Sequence, residues 1–254
     1  MQGVGQDLID ADVLGYSREV ADRLASIVKS LVGVYLHGSA AFGDFAQGRS
    51  DIDILAVSSG ALRGAIKQRL RDALSPRSLP CPGTGLEFSL VRRDSLRPLA
   101  SAPPFELHIA TKTRDAAEKF VDGNGHPGDP DLVLHYAVAK SHGVTLLGPP
   151  PSEVFPKVPR GLLLRALLGE LEWAEANASG TYQVLTAARA WLFAVEDVIC
   201  SKSDGANWAR QRVDDPSVID AALEHRRGAE AHPDEERARA FVQDVKARLA
   251  TLLP

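Results

Sequence analysis

The chain has 254 residues, 44% of them hydrophobic and 24% charged, with a formal charge of −4 at pH 7. That is enough apolar material for one or two packed domains, and the acidic balance argues against a general nucleic-acid binder. No apolar run nears the roughly 18 residues of a membrane span, and the two cysteines, Cys81 and Cys200, stand far apart, so neither a membrane protein nor a disulfide framework is expected.

The first twenty residues lack the basic and apolar regions of a secretory leader, which with the cysteine usage points to the cytosol. Apolar positions at Val20, Leu24, Ile27, Val28 and Leu31 recur at helical spacing over 17–31, with Gly33 as the stop. "VYLH" reads as a short strand, "GSAAFGDF" as a small-residue helix start and "DIDILAV" as the next strand. "ALRGAIKQRLRDAL" is amphipathic, with Leu62, Ile66, Leu70 and Leu74 on one face. A proline- and glycine-rich loop leads to "LEFSLV", where Leu86, Phe88 and Leu90 alternate with Glu87, Ser89 and Val91. "DPDLVLHYAVAKSHG" is a helix capped by Asp129, with Pro130 in its first turn and Gly143 after it. "GPPPSEVFPKVPRG" marks a boundary, and beyond it only helical patterns follow: 162–177, 182–200, 216–227 and 233–253. The expected fold is α+β, with an α/β domain over 1–157 and an all-helical domain over 158–254.

Two motifs mislead. "GDFAQGRS" resembles a phosphate-binding P-loop with Arg49 in the lysine place, but it precedes a strand, whereas a P-loop opens a helix. His135 and His142 lie seven apart without a local third ligand, a weak zinc pattern that surface or capping histidines satisfy.

The informative pair is Asp51 and Asp53. Side chains two apart on a strand share a face, so both carboxylates point one way while Ile52 and Ile54 enter the core. Like charges side by side repel; a divalent cation between them removes the conflict. Glu87, if its strand is the neighbour, completes a platform of three carboxylates for Mg2+, with room for two ions. Gly38-Ser39 supplies the other half: close backbone approach, a hydroxyl and a helix start for a phosphate. The plain alternative is a turn followed by charges that guard a strand edge.

Gly38-Ser39, then Asp51-x-Asp53, then a carboxylate on a later strand resembles the nucleotidyltransferase superfamily with its polymerase-β-like palm. "VTLLGPPPSEVF" and "VLTAARAWLFAVEDVICSKSDGANWA" are similar to the aminoglycoside (3″)/(9) adenylyltransferases, from about Tyr35 to Trp208. The resemblance implies an N-terminal nucleotidyltransferase domain and a C-terminal helical bundle. It implies AMP transfer from ATP to a hydroxyl of a cationic aminocyclitol or aminoglycoside, with pyrophosphate released. Ser39 and Ser50 would meet ATP phosphates, as would Arg189 and Lys202 from the helical half. Asp51 and Asp53 would hold Mg2+, and Glu87 would be the general base at the acceptor hydroxyl, touching a metal as well. From the residues alone, Lys202 could equally complement a helix C-terminus.

Trp173, Glu175 and Tyr182 are the expected substrate contacts, although Trp173 and Trp191 sit among leucines and alanines as core residues do. Glu170, Glu172, Glu196 and Asp197 add negative charge that a solvated helix face would also explain. Family members that accept streptomycin carry a tryptophan after the third strand, where this chain has Lys112. The segment after Trp173 is also shorter and lacks an aspartate, with Glu175 as its substitute. These departures favour spectinomycin over streptomycin, or another acceptor. The competing expectations are an adenylyltransferase for a different hydroxylated metabolite and a catalytically silent nucleotide-binding or toxin–antitoxin module. We expect a monomer without nucleic-acid or membrane partners.

Overall fold

The computed structural model describes residues 9–112 and 117–253. The chain divides into two compact units, Met1–Lys157 and Val158–Pro254.

In the first unit, helix α1 (Ala11–Ile27) opens with the Asp10 carboxylate accepting from the Asp12 and Val13 N–H groups. It ends earlier than the periodicity predicts. Val28 is already extended, and Leu31 and Gly33 belong to strand β1 (Leu31–His37). Apolar residues stand on both sides of the Lys29-Ser30 turn, Ile27-Val28 before it and Leu31-Val32 after it, so spacing alone placed the boundary too late. Gly33 is there for close packing: a Cβ would lie 2.2 Å from the Tyr35 hydroxyl.

The short helix α2 (Gly38–Phe42) follows at once, then β2 (Ile52–Ser58), α3 (Gly64–Leu74) and β3 (Leu86–Arg92). β4 (Leu107–Lys112) and β5 (Ala117–Asp122), which sequence reading did not separate from the loops, come next. α4 (Asp131–His142), β6 (Val144–Leu147) and α5 (Pro151–Val154) complete the unit. The sheet order among the described residues is β5-β4-β3-β2-β1-β6. β2 and β3 are parallel, joined through α3, and the other pairings are antiparallel.

The alternation in β2 and β3 sorts the sheet. Ile52, Ile54, Leu86, Phe88 and Leu90 enter a core with Val20 and Leu24 of α1 and Leu70 and Leu74 of α3. A second packing centre joins β1, α4 and the segment after α5. Tyr35 meets Phe155 edge-on at 5.1 Å, and Tyr136 stacks on Phe155 at 5.7 Å. The proline-rich stretch is therefore partly packed structure. Lys67, buried at 4% exposure, is tolerated because Asp122 and Glu106 lie 2.6 and 3.4 Å from its ammonium.

The second unit is helical among the described residues: α6 (Arg160–Asn177), α7 (Gly180–Glu196), α8 (Lys202–Ala209), α9 (Ser217–Arg227) and α10 (Glu235–Ala250). α7 is its axis, with Leu185, Ala188, Trp191 and Leu192 buried. The helix expected over 182–200 is α7, which ends sooner, at Glu196, and α8 is an element the sequence reading did not include. α7 closes at Asp197, left-handed at φ 57°, and α8 restarts where the Ser201 hydroxyl accepts from the Asp204 N–H. No glycine or proline announced the break. Arg160 secures it, donating to the Asp197 carboxylate at 2.5 Å and to the Ala194 carbonyl at 2.7 Å. Asp215 and Asp234 cap α9 and α10, accepting from the Ser217 and Arg237 N–H groups.

Candidate active site

Parallel pairing of β2 with β3 places Asp53 directly opposite Glu87. Asp51 lies just ahead of β2, where Ser50 and Gly83 hold the entry. The Ser50 carbonyl accepts from the Thr84 N–H at 2.9 Å, and a Cβ on Gly83 would sit 2.7 Å from that carbonyl oxygen. One carboxylate oxygen each from Asp51, Asp53 and Glu87 lies within 4.8 Å of the others. Asp51 is exposed, and Asp53 and Glu87 are half-buried. Burial pushes the Glu87 carboxyl up, the neighbouring His135 opposes that, and Asp51, Asp131 and Asp129 raise it further. A hard divalent cation fits this set, since three oxygen donors gather where like charges would otherwise repel.

The glycine-serine pair abuts the same carboxylates. Gly38 has φ +63°, and a Cβ there would come 1.7 Å from the Asp53 Oδ2, so both conformation and space demand glycine. The hydroxyl of Ser39, the next residue, is buried without a hydrogen-bond partner. The buried Ser50 Oγ accepts from the Ala46 N–H at 3.0 Å, which shapes the loop before Asp51; accepting that bond does not use its O–H as donor. Arg49 lies in that same loop, ahead of a strand, so the P-loop reading fails on structure as it did on sequence.

Two histidines lie near these carboxylates: sequence reasoning gave His37 no role and weighed His135 only with His142, as a weak zinc pattern. His37 ends β1, buried at 3%, and burial together with nearby His135 holds its imidazole well below the usual range, hence neutral. His135 of α4 has its Nε2 3.8 Å from the Glu87 Oε1 and its ring 5.0 Å from that of His37. Among the described residues the group able to hold a metal is Asp51, Asp53 and Glu87, and His135 stands beside it. The signal was faint: Leu132, Val133 and Tyr136 mark the buried face of α4, and His135 lies beside it.

In the helical unit, Arg189 and Lys202 join one network. The Arg189 Nη2 donates to both Glu170 oxygens at 2.9 and 3.0 Å, and the Tyr182 hydroxyl donates to Glu170 at 3.1 Å. The Lys202 ammonium sits 3.6 Å from the centre of the Tyr182 ring. Burial alone would raise the Glu170 carboxyl, but Arg189, Lys202 and the Tyr182 hydrogen bond outweigh it and hold it below the ordinary value. Lys202 opens α8, so it does not complement a helix C-terminus. Glycine places it: a Cβ on Gly205, one turn along α8, would come 2.5 Å from the Arg189 Cα.

Trp173 is 54% exposed, 6.0 Å edge-on from Tyr182, while Trp191 is core. Glu175 is committed to α10 through Lys246 at 2.5 Å and Gln243. Glu196 meets Arg212 at 3.5 Å and Asp197 meets Arg160. Lys112 ends β4, and its side chain lies outside the described residues.

Three carboxylates at the head of a parallel strand pair, flanked by a glycine-serine helix start, match the arrangement that the sequence resemblance implies. The nucleotidyltransferase domain family matches residues 17–96, and the family described as the aminoglycoside adenylyltransferase C-terminal domain matches 153–248. A spectinomycin 9-adenylyltransferase of Staphylococcus aureus is 30% identical over 71% of this chain and 71% of its own length. An aminoglycoside (3″)(9) adenylyltransferase of Escherichia coli is 29% identical over 92% of this chain and 97% of its own. The crystal structure of a spectinomycin adenyltransferase from Enterococcus faecialis, solved with ATP and spectinomycin, shares the fold at a TM-score of 0.73 and 18% identity, covering 93% of this chain and 98% of that one. The chain belongs to the aminoglycoside adenylyltransferase family and is an enzyme of the nucleotidyltransferase class.

Proposed function

We propose that the enzyme transfers AMP from ATP to a hydroxyl of an aminoglycoside-type antibiotic, spectinomycin ahead of streptomycin, with Mg2+ as cofactor and pyrophosphate as the second product. The observation that carries this reading is the group of Asp51, Asp53 and Glu87 within 4.8 Å, set against Gly38-Ser39. The relatives named for aminoglycoside and spectinomycin adenylyl transfer support the acceptor class.

Asp51 and Asp53 would hold the metal with Glu87 beside them, and the metal supplies neutralisation of phosphate charge when bound. Gly38 brings backbone close to the nucleotide, and the Ser39 hydroxyl donates to a phosphate oxygen. Ser50 shapes the loop. Arg189 and Lys202 offer charge to the triphosphate, Lys202 from above Tyr182. Glu87 accepts the proton of the acceptor hydroxyl, the oxygen attacks the α-phosphorus in line, and pyrophosphate departs. Trp173, exposed beside Tyr182, is the aromatic face for the acceptor. Residues 1–157 would be the catalytic domain and 158–254 the helical one, in a cytosolic monomer.

Glu175 contacts α10, which supports a second reading in which the acceptor is a different hydroxylated metabolite. Pyrophosphate release from MgATP across aminocyclitols, aminoglycosides and lincosamides separates the two. Release with spectinomycin, lost in Asp53→Asn and Glu87→Gln while Glu87→Gln still binds ATP, is the expected result. Silence toward every drug would move the acceptor to endogenous metabolites, and near wild-type transfer by Glu87→Gln would remove Glu87 as the base.

A further inference from the structure

Glu87 carries a long, rotatable side chain between neighbours that do nothing to fix it. Across the sheet on one side stands Asp53, which repels it; on the other stands Ala110, which has no polar group. With Asp51 also within reach, the carboxyl would be expected to swing toward solvent. It is instead gathered into the carboxylate group, and the basic side chain against it is His135, its Nε2 3.8 Å from Oε1. His135 is itself held. It rides on α4, whose Leu132, Val133 and Tyr136 are buried, and its ring tilts against that of His37 at 5.0 Å. His37 in turn directly precedes Gly38-Ser39 and pairs across the sheet with Asp53. One imidazole thus lies against the Glu87 carboxyl of β3 and against the last residue of β1, next to Gly38-Ser39.

We propose that His135 is a positioning residue: its imidazole, backed by His37, holds the Glu87 carboxyl turned toward Asp51 and Asp53. Partners in this outer role fix the orientation of a ligating or reacting group without touching substrate, and their loss typically costs about 10- to 100-fold in activity or metal affinity. The kinetic consequence rests on the proposed function; the geometric one does not.

The test pairs high-resolution structures with kinetics for His135→Ala and His135→Gln, with His135→Leu standing in if the alanine variant does not fold. In the Ala or Leu variant the Glu87 carboxyl leaves the group with Asp51 and Asp53, kcat falls about 10- to 100-fold, and KM for ATP moves by less than about threefold. The Gln variant, whose amide N–H reaches the same carboxyl, restores both position and rate. Glu87 staying in place in the Ala or Leu variant, or Gln behaving no better than Ala, overturns the proposal. If the wild-type enzyme proves silent toward every acceptor, the proposed function falls while the position of Glu87 in the variant structures still decides the role of His135.

Discussion

Ser39 carries an atom that is unfavourable for the resting fold and that the proposed reaction would use. Its hydroxyl is buried with nothing to bond, a state that costs about 1–3 kcal/mol when no partner arrives. Ser39→Ala should therefore leave the thermal midpoint unchanged or slightly raised. The same change should raise KM for ATP several-fold, because the phosphate loses its donor. A fall in stability with unchanged KM would place the hydroxyl in the fold and not in the site. Gly38 was legible as a residue that lets backbone approach a ligand, yet the structure gives it a nearer reason, the Asp53 carboxylate where a Cβ would stand. Glu87 was legible through strand alternation, and its position opposite Asp53 bears out the expectation of adjacent strands. His37 and His135 were not legible, since nothing local ties a residue of α4 to one of β3.

At the scale of elements, small residues set distances that no hydrophobic pattern reveals. Gly205 lets α8 lie against the backbone of Arg189, and Lys202 shares its face one turn away. Gly205→Ala should push the two helices apart, at about 1–3 kcal/mol for overpacking, and lift Lys202 from the Tyr182 ring. A lower unfolding midpoint with a raised KM for ATP is expected; unchanged values of both would mean that α8 yields freely. Glu170 ties α6 to α7 by its pair with Arg189. Its folded pKa lies below the unfolded value, so the unfolded chain takes up the proton first. The stabilisation is full above about pH 4.5 and is lost as pH falls through the depressed folded pKa. Glu170→Gln should be less stable than wild type at pH 7, with the gap closing toward pH 3 in urea titrations. A gap independent of pH would show that the carboxylate charge contributes nothing. Break points were the weakest part of the sequence reading: the α1–β1 junction at 28–30 and the α7–α8 junction at 197–201 carry no glycine or proline to mark them.

Over the whole molecule the charge is −4, and carboxylates concentrate around Glu87, where Asp51, Asp129 and Asp131 all act on it. A cationic acceptor approaching such a site is steered by charge, and salt screens that attraction over a Debye length of about 10 Å at 0.1 M. The kcat/KM for spectinomycin should fall as ionic strength rises from about 0.02 to about 0.3 M, with kcat nearly constant. A flat profile would mean that recognition depends on shape and hydrogen bonds alone.

By itself the sequence indicated the α+β class and the helical second half, which follow from periodicity among neighbouring residues along the chain. The family, and with it the roles expected of Asp51, Asp53 and Glu87, came from resemblance to known members. Only the tertiary structure decided the parallel register that sets Asp53 against Glu87, the arrival of His135 at that carboxylate, and the assembly of Glu170, Arg189, Tyr182 and Lys202 into one network. It also paired Glu175 with Lys246 of α10 and the Ser50 Oγ with the Ala46 N–H. The reason is the same in each case: these partners are far apart in sequence, and only packing selects which of several chemically reasonable partners a polar side chain meets.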